Sequence, residues 1–273
     1  MDDLKPGSAQ IPEPDVRPSI DLRRSDPVWT GWDVALIAFM TLASIVVFSV
    51  IGVAIATRLA AFKGLSPTDL ARDARLIVPV QVGAYLVVMG LMALLVRRGS
   101  YDHRFWRDIH WNFPQANWYT FLIVGVVLAI CIQLSSVLLP IPKQLPIEKF
   151  FKTATSAYIM AVFGTTIAPL FEELFFRGFL YPVLARRAGI AFGTVATAAL
   201  FAFIHQSQLG MAWAPLLLLF IVGLVLTAVR VKTNSVAASF LIHVAYNGTL
   251  FLLLWIATDR FQHMEKAARA ALR

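Results

Sequence analysis

The chain has 273 residues, 58% of them hydrophobic and 15% charged, with a mean hydropathy of +0.70 and a formal net charge of +8. Soluble domains carry roughly 25% charged residues because a watery surface needs them however large the core, so this composition excludes an ordinary soluble globule and makes the bilayer the solvent. The cations sit between apolar runs, as at Arg97-Arg98, Arg186-Arg187 and Arg230-Val231-Lys232; that suits lipid headgroups, and no basic segment interleaved with aromatics points to nucleic acid.

In chain order, residues 1–28 are polar and hold prolines at 6, 12, 14, 18 and 27. They read as a disordered or interfacial tail without a cleavable signal peptide. A membrane span needs about 20 mostly apolar residues. The candidates are 34–56, 77–96, 118–139, 158–184, 189–205, 211–229 and 236–257. The expected fold is therefore all-α, a polytopic transmembrane bundle of about seven spans, eight at most. Residues 29–153 hold a first group of helices and 154–257 a second. Trp29, Trp32, Trp106, Trp111 and Trp118 flank the early spans, as interfacial aromatics do. Cys131 is the sole cysteine, which leaves no internal disulfide and no Cys-rich metal site; in its apolar run it reads as a small buried hydrophobe. The basic segment 258–273 carries Phe261, Met264, Ala268 and Leu272 near helical spacing and reads as an interfacial helix.

The loops after the fourth and sixth spans hold Arg186, Arg187, Arg230 and Lys232 without acids, which favours the cytoplasm. Seven spans would then put the basic C-terminal segment outside, against the same rule. The expected location is a multi-pass position in the cell (plasma) membrane, with the bilayer itself as a partner.

Charged residues near a bilayer centre cost about 2.5–3.5 kcal/mol each on the insertion scale and mark function by default. The fourth span contains two adjacent ones, Glu172 and Glu173. Arg177 follows Glu173 by four residues, on the same helical face and in the favourable acid-first order. Glu172 is rotated about 100° away and has no equivalent local partner. One glutamate is thus expected to be structural and the other free for acid–base work, although an ion pair joining two helices would explain Glu173 and Arg177 alone. His205 closes the fifth span. His243 and Asn247 share a face of the seventh by their four-residue spacing. On the helical rise, Glu172 and His205 lie roughly 18 and 24 Å from the turn after Leu184, and His243 and Asn247 roughly 12 and 18 Å beyond Ser235. All four fit one layer of the membrane within about 12 Å.

The zincin motif His-Glu-x-x-His and the nucleophile elbow Gly-x-Ser-x-Gly are absent, and no aspartate pair lies in the spans. The remaining proteolytic chemistry is a water activated by glutamate, with histidines and an amide to place it or to stabilise an oxyanion. A proton relay in an ion-coupled transporter would use similar residues, but no inverted repeat accompanies them.

Glu172-Glu173-Leu-Phe-Phe-Arg177, Phe201-Ala-Phe-Ile-His205 and His243-Val-Ala-Tyr-Asn247 occur in order. This set resembles the CAAX protease and bacteriocin-processing family, also called the Abi family, of intramembrane endopeptidases. The resemblance implies a catalytic membrane domain over 154–257. It implies Glu172 as general base, His205 orienting the water, Glu173 paired with Arg177 in support, and His243 with Asn247 stabilising the oxyanion. The family is also described as metalloproteases, so zinc on Glu172, His205 and His243 is the candidate cofactor beside a metal-free mechanism. The implied partner is a peptide or membrane-protein substrate, of CAAX type or another. A non-proteolytic adaptor or immunity protein retaining the fold is the alternative.

Overall fold

The computed structural model describes residues 27–99, 104–151 and 153–264. Among these, six helices are long and apolar enough to cross a membrane. They are α1 (Gly31–Ala56), α2 (Ala74–Gly99), α3 (Trp118–Ser136), α4 (Ala154–Ile204), α5 (Trp213–Thr233) and α6 (Val236–Ala257). No strand occurs among the described residues. The chain is a polytopic helical bundle.

Seven expected spans map onto six helices because α4 holds two of them. Its 51 residues are interrupted at Gly189, whose φ of 87° and ψ of 162° no L-residue adopts without strain. The interruption is a reversal. A Cβ on Gly193 would meet the backbone nitrogen of Ala185 at 2.8 Å, whereas eight residues of straight helix separate such atoms by about 12 Å. Residues 154–188 therefore form one arm and 190–204 return beside it.

The bundle is apolar outward. Leu42, Val50 and Leu138 are each about two-thirds exposed or more, and they are three among dozens of such side chains. A water-facing surface does not tolerate apolar patches of that extent. Cys131 shares this outward face, on α3, contrary to the expectation of burial. In lipid an apolar run does not distinguish core from surface.

Two end layers close the bundle. In the first, Arg186 donates to the carbonyls of Pro27 (2.5 Å) and Trp29 (3.1 Å), and Val236 N–H donates to His110 O (2.9 Å). Ser235 Oγ also donates to Asn112 O there. In the second, Ile147 N–H donates to Gln208 O (3.0 Å) and Phe261 packs on Phe151 and Ala157. Trp29, in the first end layer, turns into the bundle rather than outward: it is 2% exposed, stacks on Phe179 at 4.9 Å and donates its indole N–H to Phe179 O at 2.7 Å. Thr258 and the residues after it turn rather than continue as the expected helix, with Asp259, Arg260 and Phe261 at positive φ. The rest of that expectation, residues 265–273, and the tail 1–26 lie outside the described residues.

Candidate active site

The first arm of α4 is not a regular α-helix. Residues Phe163–Ile167 and Leu174–Leu180 are π-helical, with the short α-stretch Ala168–Glu173 between them. Each π segment ends two residues before a proline, Pro169 and Pro182. A proline supplies no N–H to the carbonyl four residues back, and the helix widens where that donor is missing. The two glutamates sit at the end of the stretch so framed.

Glu173 and Arg177 are fully buried and paired at 2.9 Å. The rest of the guanidinium is held by Gly223 O at 3.2 Å and Thr227 Oγ1 at 3.4 Å, both on α5, and lies 4.5 Å from the Phe201 ring centroid. Gly223 permits this approach, because a Cβ there would press on Ala198 at 3.1–3.2 Å. Arg177 thereby ties both arms of α4 to α5. Glu173 Oε1 also meets His243 Nδ1 of α6 at 2.9 Å. Two groups on one oxygen make Glu173 the electrostatic hinge of the cluster, and Ser239 lies beside it one turn before His243.

Glu172 faces the other way, with its side chain 17% exposed. His205 Nε2 lies 3.9 Å from its Oε1 and His243 Nε2 lies 3.7 Å from its Oε2. Both separations exceed a direct hydrogen bond. The tautomers follow from the other ring nitrogens. His205 Nδ1 is 2.7 Å from Phe201 O, which only accepts, so Nδ1 carries the hydrogen. His243 Nδ1 donates in the same way to the ionised Glu173. Neutral imidazoles held like this turn Nε2 lone pairs toward Glu172. Three acceptors then converge with no donor among them, an arrangement that suits a molecule bringing protons, such as water, or a cation.

Glu172, Glu173, Arg177, His205 and His243 thus meet in one cluster drawn from both arms of α4 and from α6. Asn247 is one turn further along α6, and its amide donates to Gly164 O at 2.7 Å, in the first π segment. Two imidazole nitrogens and a carboxylate are donor types that zinc takes. Among the described residues, however, no group of three or more His, Cys, Asp or Glu stands in metal-holding geometry.

Sequence reasoning missed Thr227, Gly223 and Ser239, which carry no charge to flag them inside a span. It also missed Tyr85 of α2, which stacks on Phe171 at 4.5 Å and lies in electrostatic reach of Glu172. A lone tyrosine in a span gives no signal before the fold is known.

No curated protein and no solved structure matches this chain. The family model described as type II CAAX prenyl endopeptidase Rce1-like matches residues 154–249, roughly a third of the chain. The match begins where α4 begins and takes in every residue of the cluster, leaving α1, α2 and α3 outside it. Residues 154–249 are thus similar to the type II CAAX prenyl endopeptidase Rce1-like family.

Proposed function

We propose that this protein is an intramembrane endopeptidase that hydrolyses a peptide bond with a water activated by Glu172. The observation that carries the proposal is the approach of two imidazole Nε2 atoms to the two oxygens of one carboxylate. Water held there gives a proton to Glu172 while His205 Nε2 fixes its orientation, and its oxygen attacks the substrate carbonyl carbon. The carbonyl oxygen becomes an oxyanion. The second amide hydrogen of Asn247 stabilises it, joined by His243 once a proton taken up from solvent converts its imidazole to imidazolium, with Nε2–H toward the oxyanion and Nδ1–H remaining on Glu173. Collapse breaks the C–N bond, and the leaving amine takes the proton from Glu172. Glu173 and Arg177 position His243 and touch no substrate.

The substrate class we propose is a peptide presented from the bilayer, with prenylated CAAX-type C-termini as the first candidates because the matched family is named for them. If zinc is bound, Glu172, His205 and His243 would hold it and it would acidify a bound water; no step is routed through it.

The test uses the full chain in detergent with quenched peptides, prenylated and plain, each with and without a chelator. Wild type is expected to cleave, and Glu172→Gln to lose at least about a thousandfold, the scale on which a general base and its positioned water act together. Turnover that survives Glu172→Gln overturns the mechanism. Turnover abolished by chelator and restored by zinc moves Glu172 from base to ligand.

A further inference from the structure

A groove of about 620 Å³ lies away from the glutamate cluster, between α2 and the turn at residues 104–107. Its floor is a stripe of α2 at helical spacing, Leu86, Met89, Gly90 and Ala93. Gly90 makes a notch in that floor, since a Cβ there would meet nothing within 4 Å. At one end stand three exposed guanidiniums, Arg97, Arg104 and Arg107, beside the half-exposed indole of Trp106.

Length, polarity and charge agree on one kind of occupant. From Leu86 to Arg97 the helix rises about 16 Å, half of a hydrocarbon core of about 30 Å, so the groove spans one leaflet. Its deep end is apolar and its outer end cationic, the reverse complement of a lipid with an acyl chain and an anionic head. Among the described residues, the acid facing the cations is Asp108, 3.7 Å from Arg107. Arg97 and Arg107 have other interactions within the protein, but each guanidinium has five N–H donors and can serve a phosphate as well. Basic pockets at the ends of membrane helices take anionic headgroups on these grounds.

We propose that this groove binds one anionic phospholipid, with an acyl chain along Leu86 and Ala93 over the Gly90 notch and the phosphate among Arg97, Arg104 and Arg107. The site is independent of the proteolytic reading and stands whether or not the protein cleaves peptides.

Delipidated full-length protein in a nonionic detergent would be titrated with phosphatidylglycerol and, separately, phosphatidylcholine of the same chains. Binding is followed by native mass spectrometry and by the thermal unfolding midpoint. One phosphatidylglycerol is expected to bind at least tenfold more tightly than phosphatidylcholine. Arg104→Gln with Arg107→Gln should remove that preference, each lipid titration being read against the variant's own lipid-free midpoint. Gly90→Leu, which fills the notch, should weaken phosphatidylglycerol binding with the arginines intact. Equal binding of the two lipids, or a preference unaffected by the arginine changes, overturns the proposal. So does full reproduction of the midpoint shift by inorganic phosphate, which would leave the acyl groove without a role. Displacement of the lipid by a prenylated peptide with a free C-terminus, mole for mole, would assign the groove to substrate instead.

Discussion

Replacing Glu172 by Gln keeps the side-chain volume and removes the charge to which both Nε2 atoms turn, so activity should fall with little change in unfolding temperature. Glu173→Gln should do the opposite first. It leaves Arg177 fully buried without its counter-ion, and breaking such a pair costs about 3–5 kcal/mol. A lowered unfolding midpoint in detergent, seen in Glu173→Gln and not in Glu172→Gln, checks the distinction. The pairing of Glu173 with Arg177 was legible in the four-residue spacing, because helix geometry fixes it locally. The contact of Glu173 with His243 was not, since it depends on how α6 packs against α4. The helical ruler gave Glu172, His205 and His243 a common depth within about 12 Å; helix tilt and packing, which no ruler supplies, bring them within 4 Å. Asn247 shares a face with His243 as its spacing requires, yet Gly164 O engages its amide. Asn247→Ala should therefore lower both turnover and stability, and a stability loss alone would make the residue a helix clamp.

Among the elements, the reversal at Gly189 is the feature that sequence periodicity blurs. Both arms of α4 are apolar, Arg186 and Arg187 mark a break, and only the backbone angles show how tight the break is. Gly189→Ala places a side chain at φ 87°, ψ 162° and should cost about 1–3 kcal/mol, measured as a drop in unfolding midpoint. Asp73 caps α2: its Oδ1 accepts from Arg75 N–H at 2.9 Å, and Arg75 Nη2 lies 2.6 Å from Oδ2. The hydrogen-bonded Arg75 guanidinium holds the Asp73 carboxyl below the usual carboxylate range. Because the folded pKa is the lower one, this contribution is present above the unfolded value of about 3.9 and fades as pH falls through the folded value. Asp73→Ala should cost about 1 kcal/mol at neutral pH and progressively less in acid, a difference that paired unfolding curves would show.

For the whole molecule, the order of the helices puts the 104–117 loop, the Gly189 turn and the 234–236 turn in one end layer. Arg186 is spent there on backbone carbonyls and Arg230 is buried, so a count of loop cations overstates the free charge available to orient the chain. Arg97, Arg104 and Arg107 remain exposed in the same layer, and we expect that layer to face the cytoplasm. With Cys131 replaced by Ala, a cysteine at position 232 should be shielded from an impermeant thiol reagent in intact cells and one at position 143 labelled; the reverse pattern would invert the topology. The hairpin in α4 also bears on how the chain enters the membrane during synthesis. Ala154–Ile204 has the lowest mean hydropathy of the six helices, 1.6, and its first arm carries Glu172, Glu173 and Arg177. Alone, three ionised side chains would oppose partitioning by about 7–10 kcal/mol on the insertion scale. The Glu173–Arg177 pair offsets part of this cost within the arm, but Gly223 and Thr227 on α5 and His243 on α6, which complete the cluster, are synthesised later. The first arm must therefore wait in or beside the translocon until its return arm and at least α5 have emerged, which makes α4, α5 and α6 a single unit of insertion.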